Sequence, residues 1–228
     1  MMSDDELALA AFQGVARLFP LPNMVFFPHV DQGLHIFEPC YIKMTVDALA
    51  GDHLLALVLL QNESKRPSNL EGLPAIEEMA CLGRIVAFEE LADGRFNLRL
   101  RGLQRMRIAS ELPADELPFR RVNGLVIGDE LPADVDELIE LRRQLRQTVL
   151  KRFDSTGTAY RQIDDLFDTD APLGRVCDLL SYALPLPTEL KQQLLAEPQV
   201  TIRAEILMYA LHQTPRPDRK FPPDFSAN

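Results

Sequence analysis

Leu18-Phe19-Pro20-Leu21-Pro22, then Val25-Phe26-Phe27-Pro28, then Leu34-His35-Ile36-Phe37-Glu38-Pro39-Cys40-Tyr41 follow one another within residues 18–41 and decide how this chain folds. Proline has a fixed φ and no N–H, so the prolines confine the apolar runs to short or edge strands. Pro39 suits a first helical turn, where a missing donor costs nothing. The stretch predicts strands near 16–21, 24–28 and 33–37 and a helix over 39–50. That helix places Tyr41, Met44 and Ala48 on one face.

Upstream, Ser3 and Glu6 have the spacing of a capping box at the start of a short helix over 3–11. Downstream, His53 to Gln61 is too continuously apolar for a half-exposed strand and predicts a central one. Residues 62–78 hold Pro67, Gly72 and Pro74 among polar residues and predict a long loop. Cys81–Leu91 and Arg95–Leu100 predict a hairpin about Ala92-Asp93-Gly94, because Asp-Gly supplies the positive φ such turns require. Gly102 predicts a bulge, and Phe119–Ile127 a further strand.

From Pro132 the period changes to that of helices. Asp134 and Glu137 predict a helix start, and Leu138, Leu141, Leu145 and Val149 its apolar stripe. Acids early in this helix and bases late (Arg142, Arg143, Arg146, Lys151, Arg152) complement its dipole. Further helices are expected near 162–167, 172–183, 188–196 and 200–213. Strands followed by helices predict an α+β fold, with a β-rich part over 1–128, a helical part over 129–213 and a disordered proline-rich tail over 214–228.

The opening stretch resembles the amino-terminal, substrate-binding domain of Lon-type ATP-dependent proteases. That family starts with a Leu-Phe-Pro-Leu strand, a Phe-Pro corner and a His-Ile-Phe-Glu-Pro-Arg-Tyr run into its first helix. Gly83-Arg84-Ile85, Asp93-Gly94-Arg95-Phe96-Asn97-Leu98 and Leu100-Arg101-Gly102 continue the likeness, which covers roughly residues 17–212. Cys40 stands where the family has Arg, and His29 where Gly is common, so an ion pair from position 40 to Glu38 is not carried over. The resemblance implies a small twisted β-barrel of the PUA-like type with one helix, followed by a helical bundle. It also implies a non-catalytic module that binds unfolded or degron-bearing polypeptides, as an adaptor or regulator working with a separate protease or chaperone.

Composition and motifs agree with a binding protein. Apolar content of 46% and charged content of 25% are ordinary for a globular chain. No window reaches the roughly 20 apolar residues of a membrane span, and the acidic start Ser3-Asp4-Asp5-Glu6 lacks a secretory pattern, so a cytoplasmic location is expected. Cys40, Cys81 and Cys177 have neither CxxC nor disulfide spacing and are expected to be reduced, mostly buried thiols. There is no GxxxxGK[ST] phosphate cradle, no HExxH and no GxSxG, and neither the ATPase nor the Ser–Lys protease module of Lon fits this length. No enzymatic activity, cofactor or metal is expected.

Candidate binding residues fall in two groups. Phe26 and Phe27 are adjacent, so in a strand they face opposite ways, and one of them, with Tyr41, is expected to offer an aromatic surface to a polypeptide. Arg95, Arg99, Arg101, Arg105 and Arg107 are a basic run in a chain of net charge -10. Alternation puts Arg99 and Arg101 on the solvent face of their strand. The alternative function is therefore RNA or anionic-ligand binding on that face, although the acidic total and the lack of exposed aromatics beside it argue against nucleic acid. A third reading is a small molecule held in the barrel mouth.

Overall fold

The computed structural model describes residues 2–61, 74–113 and 117–213. The chain divides into two compact units, one formed by residues 1–128 with Thr188–Ala196, the other by Asp129–Pro187 with Glu197 onward.

The first unit begins with α1 (Asp4–Ala11), capped reciprocally by Ser3 and Glu6 as the sequence predicts. Its strands are β1 (Val15–Leu21), β2 (Asp31–Ile36), β3 (Leu54–Leu60), β4 (Ile76–Glu90), β5 (Phe96–Glu111) and β6 (Arg121–Ile127), with α2 (Pro39–Ala50) between β2 and β3. They pair in the order β2-β5-β4-β3-β1-β6, and β6 pairs back to β5. The last pairing closes a five-stranded barrel and leaves β2 attached outside the ring, on β5. Closure removes most of the edges that an open sheet would expose.

Side chains fill the barrel. Ala16 and Leu18 of β1, Leu54, Ala56 and Val58 of β3, Ala80 and Leu82 of β4, Met106 of β5 and Val122 of β6 form one buried cluster, against which Ala8, Leu9 and Phe12 pack. β3 is buried on both faces, as its unbroken apolar run requires. Pro20 is tolerated in a doubly paired strand for a specific reason. β1 pairs with β6 only at Val15–Arg17 and with β3 only at Leu18–Leu21. The Leu18 N–H donates to the Arg120 carbonyl, 2.9 Å away, and the proline nitrogen two residues later faces that same side, where the β6 ladder has ended.

Residues 24–28 are not the predicted strand. Asn23 and His29 take left-handed φ values of 58° and 65°, and between them the chain forms an irregular segment. Phe26 (2% exposed) and Phe27 (0%) are both buried, because irregular backbone does not force neighbouring side chains to opposite faces. The segment is pinned to β5: His29 N–H donates to the Gly102 carbonyl and Gly102 N–H to the Val30 carbonyl, both at 2.8 Å.

The hairpin forms at Asp93-Gly94, with Gly94 at φ 80°. Its strands are longer than predicted. β4 starts at Ile76, so residues 76–78 belong to a strand rather than to the expected loop, whose residues 62–73 lie outside the described residues, as does the tail over 214–228. β5 runs straight through Gly102, and its register against β4 slips there, Gly83 facing Gly102 but Leu82 facing Gln104. Leu103 is the extra residue of the predicted bulge.

α6 (Thr188–Ala196) belongs to this first unit, which differs from the expected single break after residue 128. Hydrogen bonds attach it to the barrel. The Gln192 amide donates to the Met79 carbonyl at 2.9 Å, and buried Arg105 donates through Nε to the Leu195 carbonyl at 3.0 Å.

The second unit holds α3 (Val135–Leu150), α4 (Thr158–Asp168), α5 (Leu173–Ala183) and α7 (Val200–Gln213). Asp134 caps α3, accepting from Asp136 N–H rather than from Glu137. Leu141, Leu145 and Val149 form the buried stripe. Two of the bases of α3, Arg142 and Arg146, reach across to α4 and the chain that follows it. Arg142 donates to the carbonyls of Phe167, Thr169 and Ala171 at 2.7–2.8 Å, capping the end of α4, and Arg146 pairs with Asp164 and Asp168. Arg203, fully buried on α7, is clasped by Asp178 of α5 at 2.6 Å and by Asp129.

Candidate functional site

β3 ends on Leu59 and Leu60, and after Gln61 the chain returns through Pro74 and Ala75 into β4. The Gln61 N–H donates to the Ala75 carbonyl at 2.9 Å, which holds the two arms together. Arg120 donates to the Pro74 carbonyl at 2.8 Å while its guanidinium is fixed by Glu111. α6 lies alongside, presenting Thr188, Glu189, Gln192, Gln193 and Ala196, residues spaced to share one helical face. Between this face and the strands is a cleft of about 760 Å³, within the ordinary size of ligand sites.

Its chemistry is mixed. Leu59, Leu60 and Met79 supply apolar surface, with Pro22 and Pro74 at the margin. Asn23, Gln61, Gln192 and Gln193 supply amides, and Glu77, Glu78, Glu189 and Arg107 supply charge. Gln192 is 8% exposed, and with its nitrogen engaged by the Met79 carbonyl its Oε1 has no hydrogen-bond partner. A buried acceptor in that state is uncommon in native proteins. Neighbouring Lys191 does not line the cleft, and burial pushes its ammonium below the usual lysine range.

Of the residues singled out from sequence, Arg107 at the end of the basic run lines this cleft, and Phe26, Phe27, Tyr41, Arg99 and Arg101 do not. Phe26 and Phe27 are inaccessible core residues, which corrects the expectation that one of them forms an exposed platform. Tyr41 is half-buried, its ring 4.5 Å from that of Phe19, and burial pushes its hydroxyl up. Arg99 is exposed on β5. Arg101 is taken up by Asp31, with bonds of 2.7 and 2.9 Å, and lies 3.6 Å from Asp5.

The basic run does not form one cationic face. Arg95 pairs with Asp93 and Arg101 with Asp31, while Arg105 is 1% exposed beneath α6. The Leu103 bulge shifts the phase of alternation, so residues before and after it do not share the outward face that simple counting gives them. The cleft itself left one sequence signal, the Thr188, Gln192, Ala196 periodicity of a helix with a polar stripe beside its buried Leu194 and Leu195. Among the described residues, no three His, Cys, Asp or Glu side chains converge as metal ligands, and no helix is long and apolar enough to cross a membrane.

Residues 15–213 match the family profile of the ATP-dependent protease La (LON) substrate-binding domain. Among similar curated proteins, Lon protease 1 of Herpetosiphon aurantiacus is 28% identical over 80% of this chain and 22% of its own length. Lon protease 1 of Syntrophobacter fumaroxidans is 25% identical over 90% of this chain and 24% of its own. The chain thus spans about a quarter of the curated relatives it matches. In three dimensions it resembles a Lon N-terminal domain protein from Xanthomonas campestris (TM-score 0.59, 26% identity, 86% of this chain and 97% of that one). It also shares the fold of the N-terminal domain of a Mycobacterium avium complex Lon protease (TM-score 0.65, 15% identity, 87% and 98%).

Proposed function

The chain belongs to the family of Lon substrate-binding domains, and from that premise we propose that it is a non-catalytic module that recognises unfolded or degron-bearing polypeptides. The observation that carries this reading is the cleft beside α6. An extended polypeptide offers apolar side chains and unpaired backbone groups together, and the cleft answers both with Leu59, Leu60 and Met79 on one hand and Asn23, Gln61 and Gln193 on the other. Binding there buries apolar surface without leaving backbone polar groups stranded.

Catalysis has no place in this reading. The sequence holds no phosphate-binding GxxxxGK[ST] and no nucleophile elbow. The module therefore acts as an adaptor or regulator that delivers or withholds polypeptide from a separate ATP-driven protease or chaperone. Cys40, Cys81 and Cys177 stand as thiols, which supports a reducing, cytoplasmic setting.

The test is binding of the purified chain to a chemically unfolded, fluorescently labelled protein without nucleotide, at low and moderate salt. Saturable binding that Gln193→Trp weakens at least about tenfold, in a variant with unchanged circular dichroism, supports recognition in this cleft. Absence of binding to the parent chain, or hydrolysis of ATP by it, overturns the proposal.

A further inference from the structure

Resting on the polypeptide-recognition reading, we propose that the cleft beside α6 selects cationic segments, in which lysine or arginine stands next to apolar residues. Three carboxylates line it, Glu77 and Glu78 on β4 and Glu189 on α6, against one guanidinium, Arg107 on β5. The formal balance of these side chains is two negative charges. Glu78 and Glu189 are exposed and Glu77 half-buried, so all can turn to an incoming cation.

Six acids of the same unit are held by the fold itself. Asp5, Asp31, Asp47, Asp52, Asp93 and Glu111 are each spent on an arginine of the fold. Among the described residues, Glu77, Glu78 and Glu189 make no such pair. The second observation is Gln192, which lines the same cleft and whose Oε1 is a buried acceptor without a donor. Lysine and arginine side chains and backbone amides are donors, so a cationic segment supplies both the charge and the hydrogen bond that the cleft lacks. The apolar floor of Leu59, Leu60 and Met79 takes the methylene stems of those side chains or an adjacent apolar residue. An acidic segment, in contrast, meets like charge and has only its backbone amides to offer Gln192.

Three fluorescein-labelled peptides with one apolar core, flanked by lysines, serines or glutamates, test this against the full chain by anisotropy. The lysine peptide should bind about tenfold more tightly than the glutamate peptide at low salt, and the gap should narrow as salt screens the charges. The combined variant Glu77→Gln, Glu78→Gln, Glu189→Gln should bring the lysine peptide to the level of the serine peptide. Neutralising the same number of remote acids, by Glu90→Gln, Asp165→Asn and Glu205→Gln, should leave the preference in place.

Equal binding of all three peptides overturns the charge selection while polypeptide recognition stands. Failure of every peptide to bind overturns both. A preference that survives the cleft variant, or that the remote variant removes, assigns it to the general acidity of the chain and overturns the proposal. Concentration-dependent dimerisation abolished by the cleft variant gives the cleft to a second copy of this chain, and overturns it too.

Discussion

Gly102 of β5 lies directly under the Phe27 carbonyl, so close that a Cβ on Gly102 would stand 2.1 Å from that oxygen. The contact explains why the aromatic segment before β2 can be buried without being a strand. It crosses β5 at the one residue that has no side chain, and exchanges two backbone hydrogen bonds there. Gly102→Ala should therefore destabilise the chain by about 2–3 kcal/mol, the cost of overpacking a fixed backbone contact. Urea unfolding followed by circular dichroism measures it. A loss below about 0.5 kcal/mol, the range of ordinary surface changes, would show that the segment can lift away.

Asp178 and Asp129 hold the same guanidinium with unequal consequence. Asp178 is 1% exposed and Asp129 30%, while Arg203 is fully buried. Asp178→Ala leaves a buried charge short of its buried partner, and should cost about 3–5 kcal/mol. Asp129→Ala opens a side that water can reach and should cost less. Thermal unfolding of the two variants gives the order, and a reversed order would contradict it.

Arg105 enters the space between β5 and α6 and donates to the Leu195 carbonyl. Arg105→Ala removes both a long buried stem and that hydrogen bond, for a loss of about 2–4 kcal/mol. Amide exchange should quicken in α6 more than in the barrel strands. Uniform protection across both would show that α6 does not depend on this residue.

The Asp31 carboxyl is held below the usual carboxylate range by its hydrogen bonds from Arg101. A carboxyl lowered in the folded state adds stability that is present above its unfolded value near 3.8 and is lost as pH falls through the folded value. Both side chains are more than a third exposed, so the contribution is small once water screens it. The clearer readout is the titration itself. Arg101→Gln should move the Asp31 midpoint upward in a carboxyl-carbon NMR titration, and an unmoved midpoint would remove Arg101 as the cause.

An RNA-binding face on β5 predicts salt-dependent affinity that Arg99→Glu with Arg101→Glu abolishes. The ion pairs of Arg95 and Arg101 and the burial of Arg105 lead to the opposite expectation, no measurable binding of single-stranded RNA at moderate salt. Electrophoretic mobility with a labelled oligonucleotide decides it, and a steep salt slope would restore that reading.

Local patterns sufficed for most elements. The capping box at Ser3, the Pro39 helix start, the Asp93-Gly94 turn and the apolar stripe of α3 are each written within a few neighbouring residues, and each stands where the sequence places it. Long-range contacts overruled local signals elsewhere. Val25–Phe27 has strand-forming residues, yet its course is set by Pro28, two left-handed neighbours and the bare Gly102 some 75 positions away (102 against 27). The basic run reads as one face until a single extra residue, Leu103, changes its phase and α6 covers Arg105.

By itself the sequence determined the α+β class, the order of strands and helices except at residues 24–28, and the likeness to Lon substrate-binding domains, because propensity, capping and turn chemistry act over a few residues. Only the tertiary structure decided that the strands close into a barrel through the β5–β6 pairing, that α6 joins them, and that Glu77, Glu78 and Glu189 meet beside Gln192. Those residues lie on elements more than a hundred positions apart in the chain (189 against 78), and what brings them together is burial of shared surface, which no short window of sequence records.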